Sequence, residues 1–122
     1  MKPHDLSTFC QRWLDAWTGN RPDELIQFYS ADAYYRDPAR PDGLGGRPLF
    51  EYFTKLLSKN PDWVWKAREI IPTDKGCVLK WVATIPTNST SVIVEGLDIL
   101  ELRGDKIVRN EVYFDRSALL KP

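Results

Sequence analysis

The sequence predicts an α+β domain in which three N-terminal helices pack on one face of a curved, mainly antiparallel β-sheet. Three observations carry this. The chain has 122 residues, the size of one domain with one core, so residues 1–122 read as a single unit. Apolar residues in its first half recur at three-and-four spacing, the period of a helix face. The final stretch of about sixty residues instead alternates strand-like segments with turn residues.

The first helix follows from Leu6, Phe9, Cys10, Trp13 and Trp17, which fall on one face; Asp5 or Ser7 can cap it, and it runs to about Thr18 before Gly19 stops it. Arg21-Pro22-Asp23-Glu24 suits the start of a second, short helix, with a proline and two acids in its first turn. That helix carries Leu25, Ile26, Phe28 and Tyr29 and ends near Ser30. Ala33 to Asp37 reads as a short strand, ended by Pro38 because the residue before proline is pushed out of helical angles. Prolines and glycines from Pro38 to Pro48 predict a structured loop. Gly46-Arg47-Pro48 launches a third helix with Leu49, Phe50, Phe53, Leu56 and Leu57 as its apolar residues, and Asn60-Pro61 ends it. Four strands complete the chain, at about Trp63–Ile71, Gly76–Ile85, Ser91–Arg103 and Lys106–Asp115, separated by Thr73–Gly76, Thr87–Thr90 and Arg103–Asp105.

Composition narrows the function. Seventeen Lys plus Arg balance seventeen Asp plus Glu, which argues against a nucleic-acid or anionic-membrane surface. Five Trp, five Tyr and five Phe mean that something large and aromatic is packed or bound. Cys10 and Cys77 sit in apolar runs and read as reduced core residues. With no apolar leader and no membrane-length run, the expected location is cytoplasmic. Asn88-Ser89-Thr90 then reads as turn residues and not as a glycosylation site. His4 is the one histidine, which argues against a His-based metal site or a Ser-His-Asp arrangement.

Two acids break the pattern. In Ser91–Arg103 the even positions Val92, Val94, Gly96, Leu100 and Leu102 share one face, and Asp98 sits among them. Loss of water would raise its pKa and keep it protonated near neutrality. It is either functional or a buried acid satisfied by an arginine, an indole or a phenol. The odd positions Ile93, Leu97 and Ile99 are apolar too, so a second subunit is expected on the other face. Asp37 ends a strand beneath the Gly/Pro loop, either as a reacting group or as an ordinary turn-initiating acid. Two carboxylates in different environments are one way to move protons beside a carbonyl without a metal. The many rings fill a core or wall an apolar cavity.

The order of elements, together with Leu25 to Ala33, Tyr35-Arg36-Asp37-Pro38, Val94 to Leu102 and Tyr113-Phe114-Asp115, resembles the NTF2-like superfamily and, within it, the SnoaL-like polyketide cyclase and ketosteroid isomerase branch. The resemblance implies a cone-shaped fold. It places Asp37 at the isomerase's general base and Asp98 at the protonated acid of its oxyanion hole, a site that serves as a standard example of a carboxylic acid kept neutral. The isomerase's oxyanion tyrosine falls at Trp13, leaving Tyr35 or Tyr113 to supply a phenol. The limonene-epoxide hydrolase branch is similar at Tyr35 and Asp98, but its arginine, second acid and asparagine are Gly96, Val112 and Asp37 here. Asp115 is a further acid/base candidate.

The expectation is therefore a cofactor-independent, metal-free isomerase or cyclase type of enzyme that binds a small apolar molecule. Asp37 and Asp98 are its catalytic pair, and Trp13, Trp17, Tyr35, Asn110, Val112 and Phe114 its binding residues. A homodimer is expected. The competing expectation is a non-catalytic module binding an apolar ligand or a protein, which a cavity well under roughly 300 Å³ would favour.

Overall fold

The computed structural model describes residues 3–119. In chain order it contains α1 (Pro3–Asp15), α2 (Pro22–Ile26), β1 (Tyr29–Asp37), β2 (Arg40–Gly45), α3 (Gly46–Lys59), β3 (Val64–Pro72), β4 (Gly76–Pro86), β5 (Ser91–Arg103) and β6 (Lys106–Phe114), with a short 3₁₀ turn at Arg116–Leu119. The strands form one six-stranded sheet in the order β2-β1-β6-β5-β4-β3. Every neighbouring pair is antiparallel except β1 with β6.

α1 buries Leu6, Phe9, Cys10 and Trp13, as its spacing predicts, with Leu14 in addition, and Trp17 is buried just beyond its end. It begins at Pro3, ahead of Asp5 and Ser7, so Asp5 lies in the first turn, where an acid complements the helix dipole. The regular helix ends at Asp15, and tighter bonds from Ala16 to Trp13 and from Trp17 to Leu14 carry the chain on to Gly19.

Three expectations are corrected between Ile26 and Pro48. α2 stops at Ile26, because the chain must turn Tyr29 inward: its ring is 6% exposed and its hydroxyl bonds Asn110. β1 accordingly starts at Tyr29, four positions before Ala33, beside Ile107 of β6. The Gly/Pro segment is not a loop. Arg40–Gly45 folds back on Tyr34, Tyr35 and Asp37 as an edge strand, the place in a sheet where Pro41 costs no ladder bond on its open side. Gly43 is needed there: its φ is +84°, and a Cβ would lie 2.3 Å from the Tyr34 ring. Two strands thus separate α3 from α1 and α2, and the helices are not grouped at the N-terminus.

The remaining strands lie within one or two residues of their expected bounds. Alternation buries Cys77, Leu79, Trp81, Ala83 and Ile85 of β4, and Val94, Asp98 and Leu100 of β5. These meet Leu49, Phe53 and Leu57 of α3 in one hydrophobic core. The Cys10 and Cys77 thiols are free, buried and 3.7 Å apart. The outer face of β5 holds Ile93, which is 59% exposed, and half-buried Leu97 and Ile99. No helix among the described residues is long and apolar enough to cross a membrane.

Trp81 lies directly across from Gly96, and its ring covers that glycine so closely that a Cβ there would be 2.5 Å from the indole. Gly96→Ala is therefore expected to push Trp81 aside and destabilise the fold by about 1–3 kcal/mol, measured by urea unfolding. A variant as stable as the parent would show that the close approach is unimportant.

Candidate functional site

Between the helices and the inner face of the sheet lies a cavity of about 240 Å³. Trp13 and Trp17 of α1, Tyr35 and Asp37 of β1, Asp98 of β5, and Val112 and Phe114 of β6 all line it. Trp63, Trp65 and Trp81 line it as well, so the tryptophans wall the space as well as filling the core. Alternation explains the strand residues, since odd positions of β1 and even positions of β5 and β6 turn inward.

Asp98 is 2% exposed. The Trp81 indole N–H donates to its Oδ1 at 2.5 Å, and the Asn110 amide donates to its Oδ2 at 2.7 Å. Burial raises its pKa from 3.8 to about 7; the two hydrogen bonds oppose the rise and the charge of Asp37 adds to it. Each oxygen accepts one bond, so each keeps a free position, and Asp98 is part of the cavity wall. Behind Asp98 the bonds continue: Tyr29 donates to Asn110 Oδ1 at 2.7 Å, and the Trp13 indole donates to Tyr29 at 3.2 Å. Asn110 is fully buried in this second layer, both ends of its carboxamide taken, and it does not line the cavity. The Trp13 N–H is likewise committed to Tyr29, away from any ligand.

Asp37 is held differently. Tyr35 and Tyr52 hydroxyls both donate to its Oδ2 at 2.6 Å, and the backbone N–H groups of Ala39 and Arg40 donate to Oδ1 at 2.8 and 2.9 Å. These are the bonds of a turn-initiating acid joined to those of a cavity-wall acid. Four donors occupy the roughly four acceptor positions of a carboxylate. A ligand reaches Asp37 only by displacing one of them, and half-buried Tyr52 is the more exposed of the two phenol donors. Burial, and then the charge of Asp37 for Tyr35 and the hydrogen bond to it for Tyr52, push both phenols above their ordinary range.

Tyr52 was not evident from the sequence, although it lies three residues after Leu49 and four before Leu56, on the inward stripe of α3. Tyr113 is no source of a cavity phenol: it stands on the outer face, accepting from Arg36 at 2.6 Å and donating to Glu111 at 2.5 Å. Exposed Asp115 bonds the Ser117 N–H and is not part of the wall. The His4 side chain lies outside the described residues. Among the described residues no group of three metal-ligating side chains occurs. One wall donor is left over, the buried indole N–H of Trp17, which has no partner among the described residues.

Residues 10–110 match the family model of the SnoaL-like domain. The fold is similar to that of a proposed SnoaL-like polyketide cyclase from Shewanella putrefaciens CN-32, with a TM-score of 0.80 and 13% identity over 95% of this chain and 83% of that one. A protein of ketosteroid isomerase-like fold from Catenulispora acidiphila DSM 44928, in complex with trimethylamine, gives 0.79 and 22% over 92% and 88%. TerC, co-crystallised with polyporic acid, gives 0.76 and 12% over 94% and 95%. No curated protein matches in sequence.

Asp98 sets a pH dependence whose sign follows from its raised pKa. Between its ordinary value of 3.8 and about 7 the folded chain holds a proton that the unfolded chain releases, so this residue's contribution to stability falls as pH rises across that window. The full loss is on the order of 4 kcal/mol, at about 1.4 kcal/mol per pH unit. Subtracting the urea stabilities of Asp98→Asn from those of the parent at pH 4, 5, 6 and 7 should expose that decline. A difference that stays level with pH would mean that Asp98 titrates normally.

Proposed function

Because the chain belongs to the SnoaL-like domain family, we propose that its cavity binds a compact apolar carbonyl compound and catalyses proton transfer at the carbon beside the carbonyl, without a cofactor. The observation that carries this reading is Asp98: a buried acid with a pKa of about 7, on an otherwise largely carbon-lined wall, with a proton free to face the ligand. Neutral Asp98 donates to the carbonyl oxygen and stabilises the enolate that forms. Asp37 takes the proton from carbon once the ligand displaces Tyr52 from its Oδ2. Tyr35, fully buried, keeps its bond and holds Asp37 in place.

Size restricts the ligand. An apolar cavity of about 150 Å³ holds one benzene, and 240 Å³ suits one substituted ring or two fused ones. The second reading, a non-catalytic binding module, is favoured by the four donors already on Asp37 and by the engagement of the Trp13 N–H. The volume lies only modestly below the roughly 300 Å³ at which ligand pockets usually begin. A homodimer through Ile93, Leu97 and Ile99 on the outer face of β5 belongs to the same proposal; sedimentation equilibrium should give twice the 14.1 kDa chain mass.

Deuterium uptake at the α-carbon of 2-indanone, followed by proton NMR in D₂O, tests the chemistry. Acceleration over buffer is expected, weakening as pH rises through about 7 because the donor form of Asp98 is lost. Asp37→Asn should slow exchange by about 10²–10⁴-fold, the range for a general base, at unchanged affinity for the ketone. Binding without accelerated exchange would establish the second reading instead.

A further inference from the structure

Most arginines of this chain face a carboxylate. Arg21 pairs with Glu24, Arg36 with Glu111, Arg47 with Glu51, Arg68 with Glu95, Arg103 with Asp32, and Arg109 with Glu101. Arg12, Arg40 and Arg116 have no such partner among the described residues; Arg12 lies over the Phe28 ring and lines no part of this cavity, whereas Arg40 and Arg116 lie at its wall. Arg116 is exposed yet forms part of the cavity wall. Arg40 is exposed and holds its guanidinium 5.3 Å from the ring centre of Tyr52, itself a wall residue. They are distant in the chain, one the first residue of β2 and the other in the segment after β6. Charge neutrality of the whole makes this local excess notable: seventeen basic residues match seventeen acidic ones, yet two cations without a carboxylate partner both act on one wall residue, Tyr52.

The wall below them supplies a strong contrast. It is mostly indole, phenyl and aliphatic carbon, and its two carboxyl groups are accounted for, Asp98 by Trp81 and Asn110 and Asp37 by four donors. A purely apolar ligand would leave both guanidinium groups without a counter-charge. From this placement we infer that the ligand is a cyclic carboxylic acid, its ring inside the cavity and its carboxylate at the mouth between Arg40 and Arg116. Guanidinium groups suit that task because their planar donors match the two oxygens of a carboxylate. Combined with the proposed chemistry, on which this inference rests, the substrate class becomes a compact cyclic keto acid. The carbonyl points inward to Asp98 and the acid group outward, so the mouth fixes which end enters.

Isothermal titration calorimetry with 2-naphthylacetate and its neutral amide, 2-naphthylacetamide, separates ring from charge. The carboxylate is expected to bind about tenfold more tightly than the amide, with its advantage shrinking as sodium chloride is raised, since exposed charges are screened. In Arg40→Gln/Arg116→Gln the ratio should fall toward one, and Arg40→Lys/Arg116→Lys should restore part of it. Equal affinities in the parent, or a preference that survives the double glutamine variant, overturns the inference and leaves the cavity as a ligand site. Absence of binding by both compounds overturns the ligand-site reading together with it.

Discussion

A carboxyl group in the middle of a core has to be held from several directions at once. Asp98 of β5 is held by Trp81 of β4 and Asn110 of β6, and Asn110 is held in turn by Tyr29 of β1, which accepts from Trp13 of α1. One series of hydrogen bonds therefore crosses four adjacent strands and ends in a helix. Removing any member strands a buried polar group, at a cost of about 1–3 kcal/mol. The cavity exists because the large rings around this series cannot close over it: Trp13 is turned toward Tyr29, and Trp81 is fixed over Gly96.

Asp37 does comparable work at the other end of the wall. Its bonds to Ala39 and Arg40 shape the turn that sends β2 back along β1, the bond from Tyr35 lies within β1, and the bond from Tyr52 ties β1 to α3. Structural and chemical roles coincide in this one residue. Asp98 differs in kind, having one donor per oxygen and a pKa near 7, so the two acids stand in unlike electrostatic settings within one cavity. The tyrosines around Asp37 shield it from the apolar interior.

Much of this was legible in sequence because the signals were local. Helical spacing marked the face of α1, and a lone acid among Val94, Gly96, Leu100 and Leu102 marked Asp98. One of its two partners is an indole, among the possibilities that burial alone allows, and the other is the Asn110 amide, which was not among them. The misread features depend on contacts distant in the chain. β2 looks like a loop because Pro41 and Gly43 disfavour strands in general, and nothing local says that an edge position awaits them. Tyr29 reads as helical because the demand that places it in a strand comes from Asn110, 81 residues away. Asn110 itself was legible as an inward residue, but not as one of a second layer, since which polar atoms pair is decided by the register of three strands.

The one parallel pairing, β1 with β6, has a bearing on how the molecule comes into being. Tyr35 lies beside Asn110, so the two halves of the chain meet along a seam closed between residues some seventy-five positions apart. Antiparallel β3 to β6 can zip from nearby turns, whereas this seam must wait for a long loop to close, which slows assembly. Asn110, Val112 and Phe114 arrive with the strand that completes it. During synthesis on a ribosome, the nascent chain has no cavity and no fixed Asp98 until β6 has emerged, so ligand present in the cell meets a competent site only after that strand has been made.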